Sequence, residues 1–316
     1  MYDPKIKIRF FIVELIKQEQ KLLKEGDLML KQVVSQFGIK VRKITEVEDS
    51  HSSTVYKCNL LDGENIFLKI PYTKLKYQRE LEAYEVLKGK VAIPEMLDYW
   101  SGDAECPGAF MLSELKGQPL TTKVSPAVAF QVGSLHASMH NVQPSDVQVL
   151  SGIKDEFSNW SNFIERQFYG FAEDVKGVVD KHLYKQAIEK FEEMKNRLPP
   201  SDGPSLIHMD FRPANIIIDG NKVSGVIDFE SVRFGSTEVD FTKLYRDFLR
   251  FDFTLYQAYQ EGYNSIRALI DLEAVLPFYQ FTDAFNSIGW CKRRGIEKNA
   301  LFLEENLVRL NKMLSN

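Results

Sequence analysis

Three polar side chains carry the spacing that metal-assisted phosphoryl transfer requires: Asp210, Asn215 and Asp228. The stretch Leu206-Ile207-His208-Met209-Asp210-Phe211-Arg212-Pro213-Ala214-Asn215 brings a His and an Asp onto a short loop after an apolar lead-in. The apolar run Ile216-Ile217-Ile218, the turn Asp219-Gly220-Asn221 and a second run ending in Val226-Ile227-Asp228-Phe229-Glu230 predict a β-hairpin. One free carboxylate, Asp210, can orient an attacking hydroxyl and accept its proton. An Asn and a second carboxylate are hard oxygen ligands of the kind that hold Mg2+ on nucleotide phosphates.

The His-x-Asp-x-x-x-x-Asn pattern at His208, Asp210 and Asn215, together with Ile-Asp-Phe-Glu at Asp228, resembles the core shared by protein kinases and aminoglycoside phosphotransferases. The Ile-Asp-(aromatic)-Glu form is similar to the small-molecule side of that superfamily, the aminoglycoside phosphotransferase and choline kinase-like enzymes. The resemblance implies an α+β fold: a bilobal, protein kinase-like chain with a small antiparallel β lobe and a larger, mainly α-helical lobe. It assigns Asp210 the catalytic role and gives Asn215 and Asp228 the metal. The implied cofactor is Mg2+, with ATP or GTP as co-substrate.

The elements that must position these groups are legible upstream. Ile12, Leu15, Ile16, Leu22 and Leu23 predict an amphipathic helix stopping near Gly26, followed by a second from Asp27 to Phe37. These form an N-terminal helical extension packed on the small lobe. Val41–Val47, Thr54–Leu60 and Glu64–Ile70 read as strands, with Asp62-Gly63 turning the last pair. The loop between the first two is polar and glycine-free where protein kinases carry a Gly-rich one; hydroxyls of Ser52 and Ser53 can supply the phosphate donors instead, or the segment is an ordinary Ser-rich surface turn. Lys69, near the end of the third strand, matches the phosphate-contacting lysine of the family, a point charge for the nucleotide. In the helix that follows, the family pattern selects Glu80 as its partner, with Glu82 and Glu85 as competitors, since three helical glutamates cannot all face the cleft.

Ile93–Trp100 and Gly108–Leu115 read as the last two strands of the small lobe. Backbone groups of Ser113 and Leu115 would then face an adenine edge, with Leu112 behind it. The lobe boundary falls at residues 116–119, dividing the chain into a nucleotide-binding unit (1–116) and a catalytic and substrate-binding unit (117–316). His136 and His140 stand at metal-ligand spacing, but no Glu completes a His-Glu-x-x-His frame, and a packing role is the better reading. Residues 155–198 predict two helices. Asp240 resembles the family aspartate that supports the catalytic loop. His208 pins that loop, Arg212 either balances the carboxylates or faces solvent, and Glu230 reaches a second metal or faces solvent.

With 316 residues, 44% hydrophobic and 27% charged, the chain is that of an ordinary globular protein, and its net charge of −4 gives no reason to expect nucleic acid. Three dispersed cysteines fit a reducing, cytoplasmic setting, and no apolar run is long enough to span a membrane. The expected partner is a small-molecule hydroxyl acceptor. The family name suggests an aminoglycoside or a related amino or sugar alcohol. Macrolide, choline, homoserine and methylthioribose kinases share the motifs. The eleven acidic and eleven basic residues of 231–316 neither select nor reject a cationic acceptor. The alternative from another class is a catalytically silent nucleotide-binding or scaffold protein of this fold, which the glycine-free loop favours.

Overall fold

Residues 28–47, 53–146 and 150–315 are described by the computed structural model. The helix expected to stop near Gly26 and the loop residue Ser52 lie outside them. Five antiparallel strands, β1 (Val41–Glu46), β2 (Ser53–Leu60), β3 (Asn65–Pro71), β4 (Met96–Trp100) and β5 (Ala109–Ser113), form a sheet in the order β1-β2-β3-β5-β4. Strand alternation gives this sheet two different faces. Ile66, Leu68 and Ile70 of β3 join Tyr56, Cys58 and Leu30 and Val33 of helix α1 (Leu28–Gln36) in one apolar cluster. Phe67 and Lys69 must therefore lie on the opposite face, where α2 (Lys74–Leu87) packs. Thr73 caps that helix by accepting from the Lys76 N–H, which fixes where its register begins.

The larger lobe is helical: α3 (Pro126–His140), α4 (Trp160–Tyr169), α5 (Ala172–Lys176), α6 (Lys181–Lys195), α7 (Phe241–Asp247), α8 (Phe253–Asn264), α9 (Leu272–Arg294) and α10 (Ala300–Leu314). Three helices fill residues 160–195 where the sequence predicts two, because the chain breaks at Gly170 and Gly177, the C-caps of α4 and α5. Two short strand systems carry the Asp210 loop. The two-residue strand β6 (Gln118–Pro119) pairs with β8 (Ile216–Asp219), which pairs with β9 (Lys222–Val226), the expected hairpin. β7 (Ser205–Ile207) pairs with β10 (Arg233–Gly235). The α3–α8 contact is unusually close. A Cβ on Gly133 would strike the Tyr259 carbonyl, and one on Gly262 would strike the Phe130 carbonyl. That approach brings two imidazoles of α3 onto two tyrosines of α8.

No helix among the described residues is long and apolar enough to cross a membrane.

Candidate active site

The loop that carries Asp210 hangs from a buried carboxylate. Asp240 ends a 3-10 turn (Thr237–Asp240) and accepts the backbone N–H groups of His208 and Met209. Beneath it His140 Nε2 lies 3.4 Å and His136 Nε2 3.8 Å away. Their Nδ1 atoms meet the hydroxyls of Tyr263 and Tyr259 at 2.8 and 2.7 Å. Burial alone would raise the Asp240 carboxyl, but the two imidazoles hold it far below the ordinary carboxylate range. Burial also pushes both imidazoles down, His136 to about 3, so they stand neutral. The pair at positions 136 and 140 is thus fully buried support for the loop.

His208 fixes the loop from inside. Its Nε2 donates to the Ile227 carbonyl at 3.0 Å, while Nδ1 accepts the Asp210 N–H at 3.3 Å, which defines one neutral tautomer. The single side chain therefore ties the Asp210 loop to the residue preceding Asp228. Met209 and Asp228 both adopt positive φ, 66° and 74°, a region costly for side-chain-bearing residues. The Asp240 contact restrains the first and Lys69 the second, so backbone strain is concentrated at the two ends of the site.

Around Asp210, three groups converge. Asn215 Nδ2 donates to its carbonyl at 2.9 Å and to Oδ2 at 3.1 Å. Lys243 Nζ donates to Oδ1 at 2.6 Å and to the Met209 carbonyl at 3.3 Å. Arg212 Nε forms an ion pair with Oδ2 at 3.1 Å, without the alignment of a hydrogen bond. With Asn215 Nδ2 turned to Asp210, its Oδ1 is left as an open acceptor.

Lys69, only 5% exposed, donates to Glu80 Oε1 at 2.8 Å and to Asp228 Oδ1 at 2.6 Å. Burial works to lower the Lys69 ammonium, but Asp228 and Glu80 together raise it, so the charge is secure. Burial lifts the wholly enclosed Glu80 carboxyl to about 7 in spite of Lys69. Asp228 goes the other way: burial would raise it, yet Lys69 holds it below the usual range. Its side chain remains 32% exposed, so an ionised oxygen faces the cleft. Of the three glutamates on α2, Glu80 pairs with Lys69 and Glu85 is exposed. Glu82 accepts the backbone N–H groups of Ser151, Gly152 and Ile153.

The remaining predicted positions divide. Ser53 is buried at the start of β2, opposite Pro71, rather than standing on a solvent-facing loop. The Ser113 N–H donates to the Glu95 carbonyl, and its hydroxyl accepts the Glu95 N–H, which leaves the Ser113 carbonyl as the group available at the lobe junction. The Leu115 N–H has no partner among the described residues. Leu112 is buried behind them. Glu230 corrects the solvent-facing option: it is buried, its Oε1 lies 3.2 Å from Lys76 Nζ, and its carbonyl accepts from Arg79.

Asn215 Oδ1 and the Asp228 carboxylate are both hard oxygen donors, and neither is fully used by protein partners. That donor set fits Mg2+. Lys243 is the site residue that sequence reading missed. Its one signal is position: three residues after Asp240, it shares a helix face with the aspartate under the loop.

The sequence pattern of the Phosphotransferase enzyme family matches residues 43–278. The chain belongs to that family. No curated protein matches it. Among solved structures, the GDP and kanamycin complex of APH(2")-IIia is similar over 92% of this chain and 99% of its own, with a TM-score of 0.72 at 15% identity. A thermostable mutant of aminoglycoside phosphotransferase APH(4)-Ia, in ternary complex with AMP-PNP and hygromycin B, matches 90% of this family member and 97% of its own chain (TM-score 0.66, 15% identity). Macrolide 2'-phosphotransferase MphH from Brachybacterium faecium matches 90% and 98% (TM-score 0.63, 16% identity). These likenesses give the bilobal kinase-like fold.

Proposed function

We propose that this protein transfers the γ-phosphoryl group of ATP or GTP to a hydroxyl of a small molecule. The observation that carries the reading is the juxtaposition at Asp210. A partly exposed carboxylate is held by Asn215 and Lys243, while the Lys69–Glu80–Asp228 chain lies across the lobe junction. Asp210 orients the acceptor hydroxyl and takes its proton as the new oxygen–phosphorus bond forms. The bond from the γ-phosphorus to the β–γ bridging oxygen breaks, and the nucleoside diphosphate leaves. Lys69 meets the nucleotide phosphates and Glu80 keeps its ammonium in place. Lys243 offsets negative charge beside the transferring group. Asn215 and Asp228 are the residues that would hold Mg2+, which when bound supplies charge neutralisation on the phosphates. The Leu115 N–H and the Ser113 carbonyl, both at the lobe junction, suit the adenine or guanine edge.

The intact set Lys69, Asp210, Asn215 and Asp228 supports this over a silent scaffold of the same fold. The test is Mg2+-dependent ADP and GDP release over a panel of kanamycin, hygromycin B, a macrolide, choline, homoserine and methylthioribose, with Asp210→Asn as control. Turnover lost in the variant supports the reading, and absence of nucleotide binding sinks it.

A further inference from the structure

The face of α7 that presents Lys243 to Asp210 continues one turn later with Arg246, roughly 5–6 Å further along the helix. There a cavity of about 240 Å3 lies between α7, α9 and α10, lined by Arg246, Arg250, Gln280, Arg309, Lys312 and Met313. Every ionisable side chain on that wall is cationic. The deepest, Arg246, is locked: Nε and Nη2 donate to Asp247 and Nη1 to Asp283 at 2.7 Å. Asp283 also accepts from Arg309 Nη1 at 3.1 Å, so one buried carboxylate holds two guanidinium groups in place. Burial would raise Asp283, but Arg246, Arg309 and Lys243 hold it below the usual range, which puts Lys243 and the cavity in one electrostatic neighbourhood.

A purely structural ion cluster accounts for Arg246, Asp283 and Arg309 Nη1, which also donates to Asn306 Oδ1 at 2.7 Å, but not for the rest of the wall. Arg309 Nη2 reaches only the Gln280 carbonyl, at 3.5 Å. The carboxylate paired with Arg250, the exposed Glu305, is 3.9 Å away. Lys312 has no partner among the described residues. From Arg212 and Lys243 through Arg246, Arg250, Arg309 and Lys312, six cations meet the four carboxylates of Asp210, Asp247, Asp283 and Glu305.

We propose that this cavity receives an anionic group of the acceptor, so that the hydroxyl compound phosphorylated at Asp210 carries a carboxylate or phosphate besides the reacting hydroxyl. Resting on the phosphotransferase reading, this names the acceptor class. The Lys312 ammonium, and guanidinium donors of Arg250 and Arg309 left over from their long or shared contacts, would recognise carboxylate and phosphate by charge-assisted hydrogen bonds. A polyamine such as an aminoglycoside would bring ammonium groups against the same wall, a like-charge juxtaposition that selects against it.

The test is calorimetric titration of the full chain, saturated with Mg2+ and AMP-PNP so that the nucleotide site is filled, with inorganic phosphate, glycerate and kanamycin at low ionic strength. Phosphate or glycerate is expected to bind, more weakly as salt rises. The Arg250→Gln/Lys312→Ala double variant, which leaves the Asp283 pairs in place and keeps an unchanged thermal midpoint as its fold control, should lose that binding at least tenfold. Phosphate without glycerate selects a phosphorylated acceptor, and the reverse selects a carboxylated one. Kanamycin binding while both anions fail, neither anion binding, or a double variant that binds anions like the wild type would each overturn the proposal. Failure of AMP-PNP to bind would sink the phosphotransferase reading instead, and the anion titration would still report on the cavity.

Discussion

Lys243 Nζ lies 2.6 Å from Asp210 Oδ1, joining the first helix after the catalytic loop to the carboxylate at the centre of the site. The contact does two things. It ties the Asp210 side chain to α7, and in the proposed reaction it would place a positive charge beside the transferring group.

Removing that ammonium should slow the chemical step more than it weakens nucleotide binding. Lys243→Ala is expected to lower kcat on the order of 10²-fold, the scale seen when one preorganised charge partner of a transition state is lost. Lys243→Arg should recover part of it. Steady-state kinetics with the nucleotide varied would separate the two effects; a large rise in nucleotide KM with kcat intact would contradict the assignment.

Asp210→Asn keeps the shape of the loop, because Asn215 can still donate to the Asp210 carbonyl, but it removes the proton acceptor. Turnover should fall about 10²–10⁴-fold, the range for a lost general base. Nucleotide affinity, read by calorimetry, should change little. Equal losses in both would point to collapse of the loop.

Acid should loosen the support beneath the loop. His136 and His140 are buried and neutral in the folded chain, His136 down to about 3, whereas unfolded imidazoles protonate below about 6.5. The unfolded chain therefore binds more protons in this window, and stability rises with pH across it. Between pH 6.5 and pH 4, stability should drop by up to about 1.4 kcal/mol per pH unit for His136, with His140 adding a loss in the same direction. The depressed Asp240 carboxyl adds its own loss only below its unfolded value near 3.8. Urea midpoints at pH 7, 6, 5 and 4 check this, and His136→Phe should flatten the dependence if it folds.

Glu82 accepts from three consecutive backbone N–H groups, of Ser151, Gly152 and Ile153, and from the Ser151 hydroxyl. Glu82→Ala would strand the buried Gly152 and Ile153 donors at about 1–3 kcal/mol each. A fall of several degrees in Tm is expected, measured by calorimetric scanning without ligand. Glu85→Ala, on an exposed site of the same helix, should leave Tm unchanged.

Local signals determined much of the chain. The His208-to-Asn215 spacing, the turn at Asp219-Gly220-Asn221 and the alternation around Lys69 sufficed for the catalytic hairpin, the small-lobe sheet and the family, because each is a pattern within a few residues. The family pattern selected Glu80, with Glu82 and Glu85 as competitors that helical position by itself could not dismiss. The three differ only in azimuth around α2, and packing of that helix on the sheet decided that Glu80 meets Lys69 while Glu82 turns to residues 151–153. Lys243 was missed for the same reason: its partner is 33 residues away, and its position three residues after Asp240 does not by itself point to Asp210. Charge tells the same story. Residues 231–316 carry equal numbers of acids and bases, so composition was silent on the acceptor. Only the folding of α7, the 3-10 turn after it (Leu249–Phe251), α9 and α10 against one another gathers Arg246, Arg250, Arg309 and Lys312 on one wall, since a Coulomb field depends on distance in space and not on order along the chain.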